Sequence, residues 1–426
     1  MRRDSLAAKR PFPKPKRQAY TTGARFAPEA APVPIHRCAH ALVFACAAVL
    51  VARDAAADLA DDIAACPTVV FADCAALQQA AAARGPEVAN LAKKLAAADT
   101  AAPARVKLAL ALALLDARDH SDALDAAARQ LGAAPEAADV RAAQARLGDG
   151  RAAAPLVDLL KTSADPHAKL LAAGGLGLLR TKAAVERLTA MLRDPSSQLQ
   201  AEAARALGSI GDPAAELPLL ALAGQPKVAA PARAAALAAL GDLGSARGAA
   251  LAALLADHPT KMVAVAALDV VRRQWKPWMT PAAVAAVQVP GLRGACARLA
   301  LEHGVAALAP HLMQVLRKGE SEPDEIGVVL LAVARFKPAG AAAAMVERLK
   351  AAKKPEKIEL FRAIPKVEDR TVVPDLVPWL QDADNQVVAH AVYALENLTG
   401  RHLGPDVAAW RAYAGLDGKA LTNPQP

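Results

Sequence analysis

Acid–base and metal chemistry in proteins depends heavily on histidine, and this 426-residue chain contains nine histidines. His303 and His311 flank a turn between two helical segments, but neither has a neighbouring Cys or His that would complete a closed tetrahedral metal site. The sequence also lacks a glycine-rich phosphate loop, a nucleophile elbow and any motif that carries a catalytic base. We therefore predict no catalytic residue, no metal site and no cofactor.

The remaining reactive or acidic residues have structural interpretations. Asp382-Ala383-Asp384-Asn385 precedes a helical segment, where carboxylates typically cap the first turn. Cys296 shares a helical face with Leu292 and Leu299, which predicts a buried thiol. Cys66 and Cys74 have two alternatives: a small disulfide loop, if the chain is exported, or two buried free thiols.

One cluster has the composition of a binding site. Arg272, Arg273, Trp275 and Trp278 lie in DVVRRQWKPWMTP, together with Lys276. Arginine and tryptophan are the usual anchors of protein interfaces, so this cluster is a candidate partner-binding site. The alternative is that both tryptophans fill an irregular junction between two structural units.

The elements that position these residues repeat along the chain. Residues that open helical segments recur every 29 to 33 positions: Pro103, Pro135, Pro166, Pro195, Pro226, Pro259, Pro290, Pro323, Pro355 and Asn385. Proline fits the first turn of a helix, because its missing N–H has no intrahelical partner to lose. A second set, Pro155, Pro218, Pro310 and Pro374, lies inside the intervening segments and marks the other helix of each pair, with a kinked entry expected between Gly211-Asp212-Pro213 and Pro218. The period predicts a solenoid of helix pairs.

The segment after Pro195 shows the pattern most clearly. Leu199, Ala203, Leu207 and Ile210 share one helical face, opposite Gln198, Glu202, Arg205 and Ser209. Glycines end such helices at Gly148, Gly211, Gly244, Gly304 and Gly400, as expected for left-handed caps. Each unit should therefore bury one face and expose the other.

The stretches ALGSIGDPAAELPLLALA, ALAALGDLGSARGAALAALLAD and HAVYALENLTG resemble HEAT repeats, in particular the short bacterial repeats akin to those of phycobilisome lyases. The resemblance covers residues 86–400 and implies stacked antiparallel helix pairs. Residues 86–149 are looser and could equally contain a tetratricopeptide-like pair. The segment LTGRHLGPDVAAWRAYA is similar to the closing segment of exported bacterial HEAT proteins, and we expect residues 401–426 to contain a capping helix and tail.

Composition and charge support this architecture. Aromatic residues make up only 3% of the chain, while alanine, the strongest helix former, dominates it. The net charge of +9 lies mainly in residues 1–57, which hold ten Lys/Arg and three Asp/Glu, so the other 369 residues carry only +2. Phosphate-backbone binding needs clustered cations, and we expect no nucleic acid partner.

Residues 1–57 have the features of a leader. Arg37 precedes the apolar run AHALVFACAAVLVA, and Ala55-Ala56-Ala57 matches a signal-peptidase site. The run has about 14 residues, short of the roughly 20 that span a bilayer, although an uncleaved anchor is the alternative. Translation starting at Val33 is a second alternative to Met1. We expect cleavage near Ala57, a periplasmic or secreted protein, and a segment 58–85 before the solenoid.

These observations predict an all-α protein: a right-handed α-solenoid of about ten stacked antiparallel helix pairs, with the armadillo-type superhelix that the HEAT resemblance implies. The expected function is a monomeric, non-enzymatic scaffold that binds a protein along one face. The alternative is a HEAT-like enzyme of the bilin lyase or DNA glycosylase type.

Overall fold

A computed structural model describes residues 63, 64, 86–320 and 322–415. The leader, its cleavage site, Cys66 and Cys74 lie outside the described residues. Within the described residues the secondary structure is entirely helical, with no strand. The predicted all-α class is therefore confirmed.

Among the described residues, the chain forms ten helix pairs, in which a first helix is followed by a second helix, and a final short helix comes after them. The first helices are α1 (Pro86–Ala96), α3 (Ser121–Leu131), α5 (Ala153–Thr162), α7 (Val185–Met191), α9 (Glu216–Gly224), α11 (Ala246–Leu254), α13 (Thr280–Val287), α15 (Ala309–Lys318), α17 (Ala341–Leu349) and α19 (Val373–Leu376). The second helices are α2 (Ala102–Leu114), α4 (Glu136–Arg146), α6 (Pro166–Leu178), α8 (Ser197–Ile210), α10 (Ala230–Asp242), α12 (Lys261–Arg273), α14 (Arg293–His303), α16 (Ile326–Phe336), α18 (Lys354–Val367) and α20 (Asn385–Thr399). The last helix is α21 (Val407–Tyr413).

The second helices form a continuous stack, in which each one packs against the next from α2 to α20. Helix α8 shows how the sequence produces this packing. Leu199, Ala203, Leu207 and Ile210 are all buried, and Leu207 is completely so, whereas Gln198, Arg205 and Ser209 are exposed. The predicted apolar face is thus the packed face, and the predicted solenoid of ten helix pairs is confirmed.

Nine of the ten second helices end at a residue in the left-handed conformation. Five are the predicted glycines, with φ between 67° and 82°. The other four are Asp116, Arg180, Lys337 and Glu368, with φ between 46° and 63°. Helix α12 is the exception, because it ends at Gln274 with φ of −116°. The left-handed turn thus recurs in nine of the ten repeats, whether or not its residue is glycine.

Replacing Arg180 by glycine is expected to raise the free energy of unfolding by about 0.5–1 kcal/mol, because a side chain in the left-handed region is strained. The Arg180 side chain is exposed and makes no hydrogen bond or ion pair with the described residues, so little else is lost. Urea denaturation would measure the change, with Lys182→Gly, at an ordinary φ nearby, as the control. A destabilised R180G variant would contradict the expectation.

Two glycines let neighbouring second helices approach closely. A Cβ on Gly177 would lie 2.8 Å from the Ala206 Cα, and a Cβ on Gly208 would lie 2.7 Å from the Ala239 Cα. Both distances are to backbone atoms, which cannot rotate away. Glycine at these positions therefore sets the spacing of α6, α8 and α10.

The prolines occupy positions somewhat different from those predicted. Of the prolines predicted to open helices, only Pro103, Pro166 and Pro355 lie in the first turn of a second helix; Pro195, for example, precedes α8, whose N-cap is Ser196. The second set of prolines lies in the first turns of α5, α9, α15 and α19, each after a short 3₁₀ turn. These prolines therefore stand at the start of their helices, and a 3₁₀ turn occupies the place of the kinked entry predicted at Pro218.

Helix α21 packs against residues Val377–Gln381, beside the last repeat. Trp410 is completely buried, and its indole Nε1 donates a hydrogen bond of 2.8 Å to the Gly404 carbonyl. Tyr413 contacts the Trp410 ring edge to face at 5.8 Å. The tryptophan belongs to the same apolar core as Leu395, while Val392 lies half-buried against that core.

Candidate binding surface

Two positions near the end of every second helix form a strip along the stack, which we call the second-helix ridge, and every residue on it is exposed or half-buried. The later position is exposed in all ten repeats and is occupied by Leu114, Arg146, Leu178, Ser209, Asp242, Arg273, Glu302, Arg335, Lys366 and Asn397. The earlier position, four residues before, is occupied by Leu110, Ala142, Gly174, Arg205, Ala238, Asp269, Arg298, Leu331, Arg362 and Tyr393. Residues at i and i+4 share one helix face, and the second helices stack directly, so the pairs line up along the solenoid.

The ridge exposes large apolar side chains near both of its ends. Leu114 is 37% exposed and Leu178 is 62% exposed in the N-terminal part, and Leu331 and Tyr393 are each 45% exposed in the C-terminal part. A side chain at the solvent side of a helix normally carries a polar group. Exposed apolar residues in register over several repeats are typical of a contact surface.

The middle of the ridge is occupied by an ion-pair ladder that crosses three repeats. Arg273 bonds Asp242 at 2.6 Å and Asp269 at 2.9 Å, and Arg272 bonds Asp269 at 2.9 Å and Glu302 at 3.0 Å. Burial works against the charge of Arg272, but its bonds to Asp269 and Glu302 outweigh burial and raise its pKa above the ordinary value. The ladder therefore joins α10, α12 and α14 through their own side chains.

The four residues of the predicted binding cluster lie in three different environments. Arg272 and Arg273 lie in the ladder and are paired with carboxylates of this chain. Trp275 is half-buried against the core and stacks on His303 with ring centroids 5.8 Å apart. Trp278 is 56% exposed at the start of the next first helix, away from the ridge. Of the four residues, only Trp278 presents a large uncommitted apolar surface.

The C-terminal part of the ridge is cationic. Arg298, Arg335 and Lys366 form no ion pair with any carboxylate among the described residues, while Arg362 bonds Glu359 at 2.9 Å within its own helix. These four residues lie on α14, α16 and α18, which are consecutive in the stack. Leu331 and Tyr393 lie on the same strip. We call this part, from Arg298 to Tyr393, the cationic section.

A buried polar network lies elsewhere, between α3 and α4. Asp125 accepts hydrogen bonds from Arg129 and Arg141, and the fully buried Gln144 bonds Asp149 at 2.8 Å. Burial opposes the charge of Asp125, but hydrogen bonds from Arg141 and Arg129 outweigh burial and hold its pKa below the ordinary value. The polar groups of the network are paired with one another, which indicates a structural role.

Two buried arginines have a related structural role. Arg105 and Arg233 each follow an Ala-Pro-Ala sequence at the start of a second helix. Arg105 donates to the Ala97 carbonyl at 2.8 Å, and Arg233 donates to the Ala223 carbonyl at 3.0 Å. Each guanidinium therefore binds carbonyl oxygens at or just beyond the C-terminal end of the partner helix, where helical carbonyls lack partners.

The remaining titratable groups behave as structural elements. Cys296 is buried as predicted and its Sγ contacts the Ala283 carbonyl at 3.7 Å; burial, with the nearby Glu325 carboxylate, raises its pKa to about 12. Asp384 caps α20 through the Gln386 amide at 2.8 Å. His303 contacts the Arg272 carbonyl through Nε2 at 2.7 Å.

The described residues bring together no group of three or more His, Cys, Asp or Glu that could hold a metal ion. They also include no helix whose length and apolarity suffice to cross a membrane. An open groove of about 560 Å³ lies between α7 and α9, lined among others by Arg193, Leu217 and Gln225.

Comparison with known families identifies repeats in the centre of this structure. The HEAT repeats family matches residues 153–241 and, in an overlapping position, residues 190–272. These matches cover α5 to α12, which include the ion-pair ladder up to Arg272. No curated protein sequence compared with the chain matches it.

Several solved structures are similar to this chain at low levels. An engineered protein is 20% identical, with 80% of this chain and 93% of that chain covered and a TM-score of 0.34. The complex of CpcE and CpcF of phycocyanin lyase from Nostoc sp. PCC7120 is 19% identical, with 74% and 96% covered and a TM-score of 0.28. Human deoxyhypusine hydroxylase in complex with glycerol is 14% identical, with 74% and 96% covered and a TM-score of 0.22. All three scores are below 0.5, and the names of these proteins therefore say nothing about the activity of this chain.

Proposed function

We propose that this protein is a non-enzymatic scaffold of the bacterial cell envelope that binds another protein along the second-helix ridge. The observation that carries the proposal is the register of the exposed side chains. Leu114 and Leu178 occupy the later ridge position in two repeats, Leu331 and Tyr393 occupy the earlier one in two others, and all four are exposed. A surface that presents one side-chain pair per repeat suits a long, shallow contact with a macromolecule.

Residues that are matched in type but lie off the ridge allow a direct test. Leu178 and Leu254 are each the last residue of a helix, and both are strongly exposed, but Leu254 lies on a first helix. The purified protein would be used to capture its partner from a periplasmic extract of the native host. We expect a protein that is retained by the wild type and by Leu254→Asp, and lost with Leu178→Asp.

Two results would overturn the proposal. Retention of the same protein by both aspartate variants would remove the ridge from the contact. Failure of the wild type to retain any protein, with turnover of a tetrapyrrole or of a damaged DNA base instead, would favour the bilin lyase or DNA glycosylase alternative.

Export is part of the proposal and has its own test. It rests on the apolar run after Arg37 and on the Ala55-Ala56-Ala57 site. N-terminal sequencing of the protein from its native host should begin near Asp58. A full-length chain in the cytosol would contradict it.

A further inference from the structure

We infer that the cationic section of the ridge, from Arg298 to Tyr393, binds a protein segment in which acidic and apolar residues are interspersed. This inference rests on the proposed function, and it adds where the partner binds and what kind of chain it is. It differs from the cluster predicted from the sequence, whose arginines are already paired within the chain.

Two neighbouring parts of the same ridge differ in how their charged side chains are paired. In the ion-pair ladder, Asp242, Asp269 and Glu302 neutralise Arg272 and Arg273. In the next repeats Arg335 and Lys366 occupy the position that Glu302 occupies in α14, and no carboxylate of the described residues pairs with them. The ridge therefore continues into these repeats, but Arg335 and Lys366 have no carboxylate partner among the described residues. Carboxylates of a second chain would complete the pattern.

Apolar residues lie among these cations on the ridge. Leu331 lies one helical turn before Arg335, and Tyr393 occupies the equivalent position in α20, next to α18 with Lys366. Each of the two side chains is 45% exposed. Covering them removes apolar surface from water, which stabilises a contact by about 25 cal/mol for each Å² buried.

The combination of cationic and apolar side chains favours one class of partner. A nucleic acid contact would gain from the cations, but an aliphatic side chain such as Leu331 gains nothing from a sugar–phosphate backbone. An anionic bilayer would also attract the cations, and the vesicles in the test below distinguish it from a polypeptide. A polypeptide that carries both carboxylates and apolar side chains satisfies both kinds of group. Charge then determines the rate and the partner, and apolar burial adds affinity.

The test uses the whole protein and three labelled probes. The first is a fluorescein-labelled peptide in which pairs of glutamates alternate with single leucines, the second a single-stranded oligonucleotide, and the third vesicles with anionic lipid. We expect the peptide to bind with a Kd on the order of 10–100 μM and the other two probes to bind at least about tenfold more weakly. Raising the salt from about 50 mM to about 300 mM should weaken peptide binding severalfold.

A charge-matched pair of variants locates the site. Arg335→Glu with Lys366→Glu should weaken peptide binding at least about tenfold. Arg193→Glu with Lys227→Glu changes the net charge by the same amount at exposed cations off the ridge, and it should leave the Kd within about twofold. Leu331→Ala should weaken binding and Leu217→Ala, also exposed but on a first helix, should not.

Several outcomes would overturn the inference. It fails if the peptide does not bind, if both charge pairs have the same effect, or if the oligonucleotide or the vesicles bind more tightly than the peptide. The proposed function fails separately, in the capture experiment with Leu178→Asp. If retention of the captured protein requires Leu178 but not Arg335 and Lys366, the proposed scaffold function is supported and the acidic contact is refuted.

Discussion

Replacing Trp410 by alanine is expected to lower the free energy of unfolding by about 3–5 kcal/mol, the range for truncating a buried tryptophan. Trp410 is completely buried and joins helix α21 to the core of the last repeat. Its indole also donates a hydrogen bond to Gly404, and this bond holds the segment between α20 and α21. Denaturation in urea, followed by circular dichroism, would measure the loss.

Trp278 provides a control of the same residue type. It is 56% exposed, so Trp278→Ala should change the free energy of unfolding by less than about 1 kcal/mol. The two variants also differ in solubility. Loss of Trp410, or deletion of residues 401–426, should expose the segment around Trp379 and Leu380 and give self-association in light scattering. A monomeric truncated chain with unchanged stability would make Trp410 a candidate for partner binding instead of a cap.

Replacing Leu207 by alanine is expected to lower the free energy of unfolding by about 2–5 kcal/mol. Leu207 lies at the centre of the packed face of α8 and has no exposed surface. The neighbouring helices α6 and α10 are held at a fixed distance by the Gly177–Ala206 and Gly208–Ala239 contacts, so they cannot move in to fill the cavity. We therefore expect a value in the upper half of the range.

Leu254→Ala is the matched control, because this leucine is 78% exposed and its truncation leaves no cavity. Hydrogen exchange would add a local measurement. Each repeat packs mainly on its neighbours, so the L207A variant should lose amide protection first in α6, α8 and α10. An unchanged denaturation midpoint would mean that Leu207 does not lie in the packed face.

The repeat could be predicted from sequence because its signals are local. The spacing of the prolines gives the period, the apolar spacing around Leu207 gives the buried face, and Gly211 and its counterparts mark the turns. Asp116, Arg180, Lys337 and Glu368 take the same left-handed turn, but their residue types do not favour it. Only the regular period could have identified these four turns in advance.

The ridge could not be predicted, because exposure depends on the register between helices. In PHAKLLAAGGLGL, the residue types do not distinguish Leu176, which is completely buried, from Leu178, which is 62% exposed. Ion pairs such as Asp242–Arg273 join residues a whole repeat apart, so the sequence shows two unrelated charges. The two buried arginines, in contrast, could have been predicted. The sequence Ala-Pro-Ala-Arg ends at Arg105 and again at Arg233, at equivalent places in two repeats, and this recurrence indicates a shared structural role.

The recurring left-handed turn gives the chain natural points for gaining and losing whole repeats by duplication and deletion. After several of these turns the next residue is a capping side chain that starts the following unit, as at Asp149, Asp212, Ser245 and Asp369. Removing residues 212–244 would join Gly211 to Ser245 and keep a left-handed glycine followed by a cap. Gly208 would then face Val270 as Gly241 does now, so a genetic event that removes this whole repeat preserves both the turn and the packing.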